Sequence, residues 1–589
     1  MFLVTTAAKI AWKTDEKILF LGEWCKRYND KHVWERLDYE VLPYHWDDRL
    51  LLHRDFQYLE GVYERYLKTL SRALNNLHQV DRSLRYWRIL IGPWLRYFVD
   101  ILYDRYCSLK AASETNIVEG TWLLQAETTA WVPKDFAQFH RYLEGDGWNH
   151  FIYAEIVRRL HKIPYSVLEE WNSPIPDYAG EKGRSSSERL LRRAAGLYAS
   201  IVPDRLNRVV FVSSYFRPRD LTKIQLSLGQ VPYPYAPDVS IPSSTVDITL
   251  RDKLKFEVSE NEYENLLGNF IPLQIPTTYV EGYQDLRNRS LLSFPGRAEV
   301  ICTANAYASN EGFKVWAAEC VEEGARLLVA QHGGQYGIGL WSQTEDHEIA
   351  ISDRFFTWGW DQANNRKVKP LSGGVLRRAR KKIRPDPTGG ILWVLPALPR
   401  YSYQMYSVPV AGQFLHFLRD QIILGNKVSA AVRKLLRLRL FHAGDYGWDI
   451  VARFTDAGIG DLIDYSGKTF YRQLRESRLC IGTYNSTTYL ETFVADYPTL
   501  MFWNPAHWEL RDSARPYFDE LRRVGILHDT PESAATLLNE IYIDPETWWR
   551  QPQVQAARES FCKHFAHTKE HWLPEWKAEI QSLRRAACS

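Results

Sequence analysis

Between Ala298 and Ala330 the chain runs AEVICT, a loop, the amphipathic stretch Glu311 to Glu323, and then RLLVA. Two short apolar runs flanking a helix-length segment bury themselves most simply as parallel strands with the helix crossing over one face. This succession commits the chain to an α/β fold. RVVFVS at 208–213 adds a strand upstream, and KILFLG at 17–22 has the form of a buried first strand that opens into a loop at its glycine. A second set begins at ILWVLP (391–396). It continues with a helix near 411–424, a strand around Leu438 to Phe441, a helix after Ser466, a strand from Leu479 to Thr483, a helix from Thr487, and a strand from Thr499 to Trp503.

From Asp48 to Leu109 apolar residues recur at helical spacing in two segments, split at Val80-Asp81-Arg82-Ser83, where Ser83 can cap the second. They predict a helical hairpin. The span Leu84 to Tyr103 carries Arg85, Arg88, Arg96 and Asp100, so it reads as an amphipathic helix and not a membrane span. Residues 172–190 and 231–247, rich in Pro, Gly, Ser and charge, read as loops. The basic, Gly/Pro-bearing stretch Arg377 to Gly390 marks a linker. The expected organisation is an N-terminal α/β domain over 1–380 with a helical insertion at about 48–170, a C-terminal α/β domain over 388–545, and helices over 546–589 that pack back.

Net charge decides against nucleic acid as a partner: 74 basic and 71 acidic residues leave +3, with no field of one sign. The seven cysteines are scattered without a CxxC pair or zinc-finger spacing, so neither a disulfide framework nor a metal site is expected. The N-terminus lacks a basic region followed by an apolar run, and a cytoplasmic location follows as the expectation. The 22 Trp, 34 Tyr and 25 Phe serve core packing first, and any exposed ones suit stacking on sugar rings.

Four segments carry residues suited to chemistry. In RLCIGTYNSTTYLETFVADYPTLMFWNP (478–505) a strand ends in Asn485, Ser486, Thr487 and Thr488, and Glu491 follows in the helix. Backbone N–H groups at a helix start, with hydroxyls beside them, either cap the helix or hold a phosphate. Directly after RLLVA comes Gln331-His332-Gly333-Gly334-Gln335-Tyr336-Gly337, where the glycines allow close ligand approach and His332 can move a proton. Upstream, Asn305 lies in a strand–helix loop and Glu311 and Lys314 open the next helix. Glu311 either complements the helix dipole or faces a cleft as nucleophile or base. Finally, Asp146-Gly147-Trp148-Asn149-His150 opens an amphipathic helix, with Asp146 as an N-cap or a catalytic carboxylate. Asp445, Gly447 and Trp448 in HAGDYGWD (442–449) form a weaker candidate that reads first as a plain turn. No P-loop, GxSxG elbow or HExxH is present.

The strand, polar turn, Glu-bearing helix and strand of 478–505 resemble the donor-nucleotide segment of two-domain GT-B glycosyltransferases, with Asn485-Ser486-Thr487 where those enzymes carry Gly-Ser/Thr. Along its length the chain resembles transferases encoded among bacterial O-antigen and surface-polysaccharide genes. FLGEWC at 20–25, LPYHWDDR at 42–49, SLRYWRILIGPWL at 83–95, GDGWNHFIYAEI at 145–156, NEGFKVWAAE at 310–319, QHGGQYG at 331–337, SDRFFTWGW at 352–360 and TYNSTTYLET at 483–492 carry the likeness. That group is similar to retaining transferases of 3-deoxy-manno-octulosonic acid (Kdo) from its CMP-activated form.

The resemblance implies two Rossmann-like domains facing a cleft. It implies a CMP-sugar donor needing no obligatory metal, and a glycan acceptor, lipid-linked or free. Asp146 or Glu311 would act as nucleophile with His332 or His150 assisting. Gln331, Gly333, Gly334, Tyr336, Asn485, Ser486, Thr487, Thr488 and Glu491 would bind the donor, and Asn149, Asn305 and Lys314 the substrate. The alternatives are a UDP- or GDP-hexose or CMP-nonulosonate donor, or a non-catalytic scaffold that binds nucleotide or glycan. The Trp-bearing helix at 83–106 is weighed between internal packing and docking on the inner face of the inner membrane.

Overall fold

A computed structural model describes residues 1–168, 203, 206–232, 237, 239–241 and 244–588. Among these, fifteen strands form three five-stranded sheets in which the strands pair in parallel. The first, in order β3-β2-β1-β4-β5, is built from β1 (Phe2–Val4), β2 (Ile18–Phe20), β3 (Tyr39–Val41), β4 (Gly120–Leu124) and β5 (Tyr165–Leu168). The second, in order β10-β9-β8-β7-β6, contains β6 (Val209–Val212), β7 (Val300–Thr303), β8 (Arg326–Ala330), β9 (Arg354–Thr357) and β10 (Val368–Pro370). The third, in order β12-β11-β13-β14-β15, contains β11 (Gly390–Val394), β12 (Leu436–Arg439), β13 (Ser477–Gly482), β14 (Thr499–Phe502) and β15 (Leu527–His528).

The α/β class is therefore as expected, but the stretch up to residue 380 holds two sheets where one was expected. The strands of the first sheet explain why. Phe2–Val4 is three residues long, too short to show a period, and it displaces KILFLG to second place. Strands β4 and β5 lie inside the span expected to be a helical insertion. The loop expected at 172–190 lies outside the described residues, as does part of that expected at 231–247.

The helical hairpin forms from Arg49–His78 and Leu84–Glu114, with Asp48 accepting from the Leu50 and Leu51 N–H groups and Ser83 from the Tyr86 N–H. The second of these helices is a central pillar and not an amphipathic surface helix. Trp87 and Trp94 are fully buried, and so are Arg96, Asp100, Asp104 and Arg105. It packs on its hairpin partner, on the Asp146–Leu160 helix beneath β4, and on the Glu311–Glu322 helix beside β8, which joins the first and second sheets into one core. Its tryptophans are thus unavailable to a membrane surface. No helix among the described residues is long and apolar enough to cross a membrane.

The basic stretch expected as linker begins as helix, Gly374–Lys382, because its arginines anchor onto Asp220, Trp572 and Tyr471. Past the third sheet, the Pro552–Phe565 helix packs on the Thr487–Val494 helix. The chain then crosses to the second sheet, where Trp572, Trp576, Ile580 and Leu583 cover Val300, Leu328 and Phe356.

Candidate active site

Strand β8 ends in the Gly333-Gly334 turn and β13 ends in Asn485-Ser486-Thr487, and the two turns touch. A Cβ on Gly334 would stand 2.5 Å from the Thr487 nitrogen and closer still to the Ser486 backbone, so only glycine fits there. The carboxyl-terminal edges of the second and third sheets therefore oppose one another, at the position where open α/β sheets bind ligands. Ser486 is the N-cap of the Thr487–Val494 helix, yet its side chain makes no capping bond, which leaves first-turn N–H groups without that partner. Asn485 accepts from the Tyr489 hydroxyl at 2.9 Å, and Thr488 shares a 2.6 Å hydrogen bond with Tyr484. Gln331 braces the glycine turn: its oxygen accepts from the Trp358 N–H (2.8 Å) and Trp360 Nε1 (2.9 Å), while its Nε2 donates to the Gly333 carbonyl (2.8 Å).

Behind the glycine turn lies an acid that sequence reasoning missed. Glu348, on the Gln343–Ile351 helix, is fully buried and accepts from the hydroxyls of Tyr307 and Tyr336, the latter at 2.6 Å. Its second oxygen has no hydrogen-bond partner among the described residues, and His332 Nδ1 lies 3.4 Å from the first. Burial holds the Glu348 carboxyl well above the usual range, against the two phenol hydrogen bonds. Burial also pushes His332 down to about 4, with the Ala304 carbonyl opposing. Burial thus disfavours charge on both members of the pair, an arrangement suited to proton transfer.

The loop after β6 bends Tyr215 toward His332, with ring centroids 6.2 Å apart, through left-handed backbone at Ser213 (φ +48°) and Tyr215 (φ +59°). Asn305 Nδ2 donates to the Tyr215 hydroxyl at 2.7 Å and so belongs to this rim. The acid segment SQTEDHEIAI reads as a solvated helix by composition. Its one usable signal was its place directly after the glycine turn.

On the opposite wall Glu491 accepts from the Tyr471 hydroxyl at 2.5 Å, and Arg378 lies 4.8 Å from the centre of the Tyr471 ring. Burial raises Glu491 to about 7, with Tyr471 and Arg378 opposing.

The structure does not bring the remaining expected residues to these turns. Glu311 is enclosed between the Phe136 N–H (3.2 Å), the Tyr279 hydroxyl (2.8 Å) and Lys314 Nζ (2.9 Å), and Lys314 is fully buried with it. Each helix-start side chain turned inward because the other neutralises it, so neither faces a cleft. Asp146 accepts from Arg400 (2.8 Å), the Tyr401 hydroxyl (2.5 Å) and the Ala7 N–H (3.2 Å), a tie between the first sheet and the loop after β11. The helix N-cap is Gly145, so Asp146 is no cap either. Burial alone would raise its carboxyl, but Arg400 with the other donors holds it below the usual range. Asn149 accepts from Arg105 at 2.8 and 3.0 Å, and buried His150 accepts from the Leu124 N–H at 3.1 Å, so both stitch the interior. No group of three His, Cys, Asp or Glu side chains suited to a metal ion occurs among the described residues.

Opposed parallel sheets with a glycine turn on one edge and a hydroxyl turn on the other are the plan of an α/β enzyme whose cleft lies between two bodies. The chain belongs to the LIC12162 family of transferases, whose pattern it matches over residues 1–580. No curated protein matches it by sequence. Among solved structures it is similar to WaaG, a glycosyltransferase involved in lipopolysaccharide biosynthesis, at 12% identity over 51% of this chain and 95% of that one, with a TM-score of 0.26. It is similar also to the trehalose-6-phosphate synthase OtsA, at 11% identity over 52% of this chain and 76% of that one, with a TM-score of 0.30.

Proposed function

We propose that this transferase moves a sugar from a nucleotide donor, with the donor phosphate held at the start of the Thr487–Val494 helix, beside its contact with the glycine turn. The observation that carries the proposal is the contact of Gly334 with Ser486 and Thr487, which brings uncapped helix N–H groups to a turn bearing His332. The family resemblance favours a CMP-activated Kdo or related ulosonic acid as donor and a surface-polysaccharide or O-antigen acceptor, with UDP- or GDP-hexose as the alternative. A lipid-linked acceptor at the inner face of the membrane fits the same chemistry.

His332 takes the acid–base role in this proposal, with Glu348 as a positioning residue whose carboxyl lies 3.4 Å from the imidazole Nδ1. Asp146 and Glu311, the carboxylates first in line for a covalent retaining step, are engaged elsewhere, with Arg400 and Lys314. Incubating the protein with CMP-Kdo and with UDP and GDP hexoses, and following nucleotide release, tests the proposal. Release of CMP alone supports the ulosonic donor, release of UDP or GDP replaces it, and no release from any donor sinks the transferase chemistry of this groove.

A further inference from the structure

A second polar cavity, of about 260 Å³, opens near the loop that leaves β6, and it shares no lining residue with the glycine turn or the hydroxyl turn. Its bases come from three places in the sequence. Arg217 and Lys223 belong to the end of that loop and the Pro218–Ser227 helix, Arg377 and Arg380 to the Gly374–Lys382 helix, and Lys569 to the crossing that precedes the last helix. The two edge strands β6 and β10 lie on opposite sides of the second sheet, so their loops must arch over its carboxyl edge to meet here. They are pinned there by Phe216 stacked on Trp572 and by Arg377 lying 4.1 Å from the centre of the Trp572 ring.

Five bases face two carboxylates in the lining, and one of those, Asp220, is already taken by Arg377. Lys569 is paired with Glu575, outside the lining. The buried Nε of Arg217 has no hydrogen-bond partner among the described residues. Burial holds Arg377 below its ordinary range, and Arg217 adds to that against the pull of Asp220. Like charges gathered on separate elements and left short of acids describe a site for an anion. Whole small-molecule pockets run to roughly 300–1,000 Å³, so a cavity of this size takes the charged end of a ligand and leaves the remainder outside. Arginine forks suit phosphate geometry, where two oxygens can be held at once.

We infer that this cavity binds a phosphorylated group, of the phosphate or pyrophosphate class, at a site separate from the proposed donor groove. The group comes either from a soluble phosphorylated compound or from an anionic lipid headgroup, and the chemistry of capture is the same.

The test titrates the full chain with inorganic pyrophosphate by calorimetry at low and at 0.5 M salt, comparing the unmodified protein with Lys223→Glu/Arg380→Glu. Both residues are exposed and carry no packing, and Lys68→Glu/Arg72→Glu, on an exposed face of the hairpin, is the control for general charge. Pyrophosphate should bind the unmodified protein and the control alike, weaken at least tenfold in the pocket variant, and weaken with salt. Equal binding by all three proteins, equal loss in both variants, or no binding to the unmodified protein overturns the inference. Cosedimentation with phosphatidylglycerol against phosphatidylcholine vesicles separates the sources. Vesicle binding lost in the pocket variant and competed by pyrophosphate assigns a headgroup, whereas pyrophosphate binding without vesicle binding assigns a soluble ligand. His332→Ala should leave pyrophosphate binding unchanged, so failure of the donor groove and failure of this pocket read out separately.

Discussion

Buried ionisable side chains near the groove make opposite demands on pH. Glu491 has its carboxyl raised to about 7, so the folded state holds its proton where the unfolded chain, near 4.3, has lost it. Folding is therefore penalised progressively as pH rises from about 4 through 7, and the penalty is full above that. Glu491→Gln removes it. The variant should be more stable than the unmodified chain at pH 8.5, by on the order of 1–3 kcal/mol, and no more stable at pH 4. Urea unfolding at the two pH values checks this, and an equal difference at both would remove the raised carboxyl from the account. For His332 the expectation is catalytic: His332→Ala should lower transfer by about 10²–10⁴-fold, the usual range for a general acid–base. Glu348→Gln keeps an oxygen that accepts from Tyr307 and Tyr336 and removes the ionisable group, so it should fold normally and shift the pH–rate profile, where Glu348→Ala should also lose stability. Unchanged profiles in Glu348→Gln would leave Glu348 a packing residue only.

At the scale of elements, the close approach of two turns makes a sharper demand than any single side chain. Gly334→Ala places a methyl group against the Ser486 and Thr487 backbone, which cannot retract as a side-chain tip can. Overpacking of this kind costs about 1–3 kcal/mol, and it should also pry the two sheet edges apart, so activity should fall further than stability. A fully active, fully stable Gly334→Ala protein would show that the turns do not work in contact. Much of this element layer was legible in the residues. The strand–helix–strand run from 300 to 330, the hairpin split at Ser83, and the succession from ILWVLP to Trp503 all carry periods long enough to read. Three-residue strands such as Phe2–Val4 carry none, and so only the KILFLG strand of the first sheet was legible. The site was legible where chemistry follows backbone, at the glycine and hydroxyl turns. It was illegible where chemistry depends on which partner a side chain finds: Glu311 found Lys314, Asp146 found Arg400, and Glu348, hidden in a polar-looking helix, came to lie behind His332.

Across the whole molecule, the first sheet meets the third through a shared apolar core, Trp24, Tyr44 and Trp46 against Tyr401 and Phe414, and through polar ties, with no shared strand. Arg49 grips Glu509 through two nitrogens, at 2.6 and 2.8 Å, Asn29 and Arg27 hold Asp449, and Arg400 holds Asp146. Arg400 is buried, so removing its partner leaves a charge without compensation, at a cost of about 3–5 kcal/mol when such pairs are broken from one side. Asp146→Asn should therefore destabilise the chain by about 2 kcal/mol or more at pH 7, with Tyr401 still satisfied by the amide oxygen. The sign with pH follows from the depressed carboxyl. Its contribution is complete above the unfolded value of about 3.9 and is lost only as pH falls through the lower folded value, so the gap between Asp146→Asn and the unmodified protein should hold from pH 7 to 5 and close below 4. A double-mutant cycle with Arg400→Met separates this tie from packing. A coupling of about 0.5–3 kcal/mol between the two positions marks a bond that holds the bodies together, whereas strictly additive losses would mean that each side chain merely fills space on its own side of the interface.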